Sequence, residues 1–358
     1  MTRTMMTVWA AAAAVALCAC GQGSANDDDG DDDDAPDASA GTIDADPTAP
    51  DGATPPIDAP LPDGGGAVTD PGMPGTWDVH ATSTSASTEL GNAAVTVYSP
   101  STDSGATPAA GPFPLVIVST GFQIGKANYE DTCRHLASWG YVVLIHDYTS
   151  GNHQEKGAEI GDLIDWATAA GGPITARVDA TKIAVAGHSM GGKVSVIAAI
   201  LDARIDAVVA WDPVDALPPI ADGSTSVCPE TIGQLDVPFA VLGETTDGTA
   251  GIGGQACAPT ADNYQQFFTG ACDAPAALEV TIANADHTDW VDDRSSCGLA
   301  CLFCQTGQTP DATVLTITRR VTVAWLETHL RGLGGYGAYL AAPGIGSPAT
   351  VRTVAPGC

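Results

Sequence analysis

Ser189 stands between two glycines in Gly187-His188-Ser189-Met190-Gly191. That is the G-x-S-x-G spacing of a serine presented on a sharp turn between strand and helix. A serine hydroxyl is a weak nucleophile alone. It needs a base to take its proton, a carboxylate to orient that base, and N–H donors for the oxyanion that forms when it attacks a carbonyl. The flanks suit the turn: an apolar β-branched run, 183–186, precedes it and a helix-like run, 194–201, follows. The glycines make room for the tight backbone, and the first helix amides, beginning with Met190, point toward whatever Ser189 attacks. The chemistry implied is acyl transfer through a covalent serine intermediate.

The base and the acid must come from later strands. Of 7 histidines, His287 follows a late strand in an acidic, polar loop, 283–293, and gives the chain order serine, acid, histidine. His188 adjoins the serine, but strand alternation points it elsewhere. His146 reads as a core or rim histidine. Two places compete for the acid. Asp212 opens Asp212-Pro213-Val214-Asp215 at the end of the strand after the nucleophile strand, with Pro213 stiffening its exit. Glu244 and Asp247 follow one strand later, Asp247 farther out in a Gly/Thr-rich run expected to be mobile. Local rigidity favours Asp212, since the orienting carboxylate must be fixed and partly buried.

These residues need a scaffold that gathers strand ends on one side. Strands are expected at 77–82, 93–98, 112–119, 141–145, 183–186, 207–211, 237–242 and 278–282, and helices at 127–139, 157–170, 194–201 and 312–330. The alternation predicts an α/β domain with a mostly parallel sheet flanked by helices. Ligands of such sheets bind at the carboxyl ends of the strands, where every residue named above falls. Thr120-Gly121-Phe122 directly follows one strand, so the Phe122 amide is the candidate second oxyanion donor beside Met190. The segment 212–237 is short for a large cap domain. The expected site is therefore open, with Phe122 and either Trp211 or Trp290 as apolar walls and 248–254 as a mobile flank. This chemistry calls for no metal or organic cofactor.

In several separate places the chain resembles the chlorophyllase-like esterases of the α/β-hydrolase superfamily. The shared features are the Gly-aromatic turn Gly121-Phe122, the run Gly187 to Lys193, Asp212-Pro213-Val214, Cys257-Ala258-Pro259-Thr260, and the His-x-Asp-x-x-Asp-Asp stretch from His287 to Asp293. The match spans roughly 112–330. It implies hydrolysis of a carboxylic ester through Ser189, Asp212 and His287, the Asp-Pro-Val aspartate being the acid in that family. Thr120 stands where that family usually has histidine, and Met190 where the plant enzymes have arginine. The Ser-Met-Gly-Gly elbow is also similar to bacterial cutinases and polyester hydrolases. Those take the acid one strand later, at Asp247 or Glu244 here. The expected substrate is an apolar or bulky ester, lipid-like or polyester-like. The alternatives are a non-catalytic surface lipoprotein that binds through the same fold, or an acyltransferase.

The 358 residues carry a formal net charge of -30, which argues against nucleic acid and anionic membrane surfaces as partners. Residues 1–20 read as an export signal: Arg3, an apolar run 8–17 too short to span a bilayer, then Leu17-Cys18-Ala19-Cys20. That ending resembles a bacterial lipobox with Cys20 as the lipidated residue, which implies an outer-membrane or cell-surface anchor; the alternative is a secreted or periplasmic protein. Residues 21–75 read as a disordered acidic tether, and 76–358 as the catalytic domain, a monomer. Eight further cysteines suit an oxidising compartment. Cys257 with Cys272 is the expected bridge, and Cys301 and Cys304 are read as structural disulfide cysteines rather than zinc ligands.

Overall fold

A computed structural model describes residues 68–149, 151–215, 226–228, 231–247, 257–297, 301 and 304–354. Its strands are β1 (Asp78–Thr88), β2 (Gly91–Ser101), β3 (Phe113–Ser119), β4 (Val142–Asp147), β5 (Val178–His188), β6 (Ala207–Trp211), β7 (Phe239–Glu244), β8 (Ala277–Ile282) and β9 (Ala349–Val354). The helices are α1 (Glu130–Ser138), α2 (His153–Thr168), α3 (Met190–Leu201), α4 (Tyr264–Gly270) and α5 (Asp311–His329). One nine-stranded sheet results, in the order β1-β2-β4-β3-β5-β6-β7-β8-β9. The six strands from β4 to β8 are parallel, and β1, β2 and β9 run antiparallel at the margins.

The parallel strands are apolar on both faces because helices cover both. All seven residues of β3 are buried, and alternate ones serve opposite cores. Leu115 and Ile117 pack with Ile160, Leu163 and Ile164 of α2 and Val194 and Ile197 of α3. Val116 and Val118 pack with Leu136 of α1 and Val314, Ile317 and Val321 of α5. β1, by contrast, is a Ser/Thr-rich edge strand with one buried residue, and only its inner neighbour β2 shows a buried stripe.

The register aligns the carboxyl ends. Ser119 is level with Gly187, Gly187 with Ala210, His188 with Trp211, and Trp211 with Leu242. The Ser189, Asp212 and Glu244 positions therefore emerge on one rim. Residues 68–75, expected as tether, instead pack on this scaffold. Asp70 pairs with Arg320 at 2.7 Å, His135 Nε2–H donates to the Pro71 carbonyl, and Trp139 Nε1–H donates to that of Met73. The export signal, Cys20 and the aspartate run lie outside the described residues.

Candidate active site

Ser189 sits between β5 and α3 with φ 57° and ψ -122°, a left-handed backbone that side chains rarely adopt. What forces it is the close approach of β3. A Cβ on Gly191 would lie 2.2 Å from the Ser119 carbonyl oxygen, and one on Gly187 would lie 2.5 Å from the Gly191 backbone. Only glycine at both places lets the elbow pass over the β3 end. The Ser189 amide donates to the Trp211 carbonyl at 2.9 Å, and the Val214 amide to the Ser189 carbonyl at 3.2 Å, which ties the elbow to the β6 exit. Lys193 of α3 closes the same contact from below. It is 1% exposed and pairs with Asp215 at 3.0 Å, while Asp215 accepts the Val227 and Cys228 amides. The Gly-Gly-Lys and Asp-Pro-Val-Asp sequences are thus two halves of one buried joint.

Across that joint runs a hydrogen-bonded line of three side chains. Ser189 Oγ lies 2.9 Å from His287 Nε2, and His287 Nδ1 lies 2.6 Å from Asp212 Oδ2. Asp212 is fully buried, with φ 43°, and its amide donates to the Leu242 carbonyl. Burial lowers His287 below the ordinary imidazole value, so the ring is neutral near pH 7. Its Nδ1 proton goes to Asp212, and its Nε2 lone pair faces the serine hydroxyl. Burial, then the charges of Asp247 and Asp286, raises Asp212 above the usual carboxylate range. Such a line can move a proton from hydroxyl to imidazole and stabilise the imidazolium that results.

The competing acids take other duties. Asp247, expected in a mobile stretch, is fully buried. Its Oδ2 accepts the His287 backbone amide at 2.8 Å, not the ring, and its Oδ1 accepts the Gln305 amide at 3.0 Å. Glu244 accepts the amides of Thr246 and Asp247. Burial, and then the charge of Asp212, pushes Glu244 up to about 10 and holds it protonated at neutral pH. The His287 loop is fixed further along as well. Asp289 accepts the Asp286 amide, Asp286 accepts that of Gly307, and Arg294 pairs with both carboxylates. Residues 248–254 lie outside the described residues.

Phe122 and Met190 border a cavity of about 630 Å³, shared with Ile124, Gln123, Tyr148 and Lys156. Met190 is the first residue of α3, so its amide has no acceptor within the helix. The Phe122 side chain is 59% exposed, an unusual position for a large apolar group. The two tryptophans expected as walls are not walls. Trp211 and Trp290 are each 1% exposed; Trp211 donates to Thr322 of α5, and Trp290 stacks on His188. Strand alternation sends Trp211 into the α1/α5 core, and the turn after His287 folds Trp290 inward.

The cysteine pairing also differs from expectation. Cys257 bonds Cys304, and Cys297 bonds Cys301. Cys272 is held in a disulfide of its own. Asp247 lies beside Cys257 and Cys304, but those sulfurs are joined to each other and offer no metal a thiolate. Sequence reasoning dismissed one residue that the site uses. His188 is fully buried, and its Nε2 bonds the His287 carbonyl at 2.8 Å. Its position directly before the serine was the available signal.

Comparison with known proteins gives the family. A family model described as Chlorophyllase matches residues 78–354. The chain belongs to the chlorophyllase family. It is 27% identical over 248 residues to Chlorophyllase-1 of Arabidopsis thaliana, covering 62% of this chain and 74% of that one. It is 23% identical over 209 residues to Chlorophyllase-2 of the same plant, covering 51% and 62%. It is also 25% identical over 215 residues to the bis(hydroxyethyl) terephthalate hydrolase of Streptomyces coelicolor, covering 60% and 61%. The latter two are thus matched over less than two thirds of their length. The sheet is that of an α/β hydrolase, and the family's reaction class is carboxylic ester hydrolysis.

Proposed function

We propose that this member of the family is a serine hydrolase of apolar or bulky carboxylic esters, working through an acyl-enzyme. The hydrogen-bonded line Ser189–His287–Asp212 carries the reading. His287 takes the Ser189 proton as Oγ attacks the ester carbonyl, and Asp212 steadies the imidazolium. The amides of Phe122 and Met190 hold the oxyanion. His287 then protonates the departing alcohol, and water, activated by the same ring, releases the acid. Phe122 and Met190 border the cavity beside the serine turn, and the exposed Phe122 offers an apolar surface for a bulky group of the ester. The relatives' names, chlorophyllase and bis(hydroxyethyl) terephthalate hydrolase, support a bulky carboxylic ester as the substrate class.

The test is hydrolysis of p-nitrophenyl esters of increasing acyl length by the full chain and by Ser189→Ala. Turnover that vanishes in the variant supports the reading; a folded wild type silent on every ester, or an active Ser189→Ala, contradicts it. The export and Cys20 lipidation read from the N-terminus complete the proposal. They place the hydrolase at an outer membrane or cell surface. Labelled fatty acid on wild type and none on Cys20→Ala is the expected result, and label on the variant refutes the anchor.

A further inference from the structure

We propose that Tyr129 and His188 are positioning residues that hold the turn bearing the Phe122 amide in register with the backbone of His287. The proposal rests on the serine-hydrolase reading above. Three bonds make the link: the Gly121 amide to Tyr129 Oη at 3.1 Å, Tyr129 Oη to His188 Nδ1 at 2.8 Å, and His188 Nε2 to the His287 carbonyl at 2.8 Å. They join three parts of the chain distant in sequence: the exit of β3, the end of β5 and the loop after β8.

Chemistry fixes every proton in that line. A carbonyl only accepts, so His188 carries its proton on Nε2. Nδ1 is then an acceptor, and the Tyr129 hydroxyl must donate to it. The same hydroxyl oxygen accepts from Gly121. Each donor is used once, and the line ends on an oxygen with no proton to pass on. It therefore cannot relay protons, and its effect is geometrical. Tyr129 and His188 are fully buried, with no water to substitute for a lost partner. Burial also keeps His188 neutral, which preserves Nδ1 as an acceptor. Trp290 lies nearly parallel to the imidazole, with 6.2 Å between ring centroids and 18° between planes. The Gly121 amide is one peptide before that of Phe122. Its direction, set by Tyr129, aims the next N–H toward the oxyanion, while the same line holds the main chain of the base.

The experiment measures kcat and KM for p-nitrophenyl butyrate on the full chain, with Tyr129→Phe, His188→Gln, His188→Leu and the double variant Tyr129→Phe/His188→Leu. Displacement of the oxyanion turn acts on the transition state, so Tyr129→Phe is expected to lower kcat about tenfold to a hundredfold and leave KM within about twofold. A glutamine amide can offer oxygen to Tyr129 and N–H to His287, as the imidazole does. His188→Gln should then recover most of the activity that His188→Leu loses. The double variant should be little worse than the worse single one, since both break one line. A Tyr129→Phe enzyme within twofold of wild type in kcat overturns the proposal. So does a glutamine no better than leucine, or losses that multiply. If His188→Leu does not fold by circular dichroism, Tyr129→Phe, which removes one oxygen atom, decides. Failure of the underlying reading looks different: wild type is then inactive, or Ser189→Ala active.

Discussion

Replacing Asp212 by asparagine separates it from Asp247, the aspartate one strand later. The substitution keeps the shape of the side chain and removes its charge. Asp212 is itself fully buried, and its Oδ2 is 2.6 Å from His287 Nδ1, so no water can take over as acceptor there. An amide nitrogen facing Nδ1 would push the ring proton to Nε2, pointing it at the serine hydroxyl that must be deprotonated. Loss of the correct tautomer and of the charge opposite the imidazolium costs about 10³- to 10⁴-fold in kcat, or about 4–5.5 kcal/mol of transition-state stabilisation. Asp247→Asn is the matched control. Its carboxylate bonds the His287 backbone at 2.8 Å and the Gln305 amide at 3.0 Å. Asparagine keeps one oxygen for the first bond and sets an N–H against the second donor. The lost bond is worth about 1.5–3 kcal/mol, chiefly of stability, and the rate should fall by no more than about tenfold. The assay is kcat/KM on one p-nitrophenyl ester, with thermal melts of both variants. An active Asp212→Asn beside a dead but folded Asp247→Asn refutes the assignment.

Other outcomes follow from the same geometry. Because burial lowers His287 below its ordinary 6.5, its neutral form persists into mild acid, and the acid limb of kcat/KM should fall below pH 6.5; a limb centred above 7 contradicts this. Gly191→Ala drives a Cβ to 2.2 Å from the Ser119 carbonyl, and should abolish turnover and lower the melting temperature; a normal enzyme would mean the elbow has slack. His146 is buried with both ring nitrogens unpaired and is held down to about 4 by burial. A histidine depressed in the fold protonates first in the unfolded chain, so its share of stability drains as pH falls from 6.5 toward 4, by about 3 kcal/mol. His146→Leu should flatten that part of the urea-stability profile, and an unchanged slope argues against it.

The parallel heart of the sheet was legible because strands buried on both faces are continuous apolar runs, as 113–119 and 207–211 are. β9 was not. It is a short marginal strand, Ala349–Val354, whose pairing with β8 no local pattern announces. The seven-residue α4 is also too short to show a helical period. At the site, Ser189 and His287 were legible from turn chemistry and chain order, and Asp212 from Pro213 beside it. The duties of Asp247 and His188 were hard to read because both serve the backbone of His287; only the place of His188 directly before the serine pointed to one of them. Trp211 and Trp290 show the converse: being near the rim in sequence does not say which face a side chain takes. The cysteine pairing depends on the loop that brings Cys304 to Cys257, 47 residues away.

On the proposed mechanism Ser189 is the one hydroxyl activated by His287. Intact-mass and peptide mapping after treatment with a fluorophosphonate tests it most directly. Expected are a single adduct on the Ser189 peptide, none on Ser189→Ala, and labelling slowed at least about a hundredfold in His287→Ala. A folded wild type that takes no label, or takes it on another residue, contradicts it.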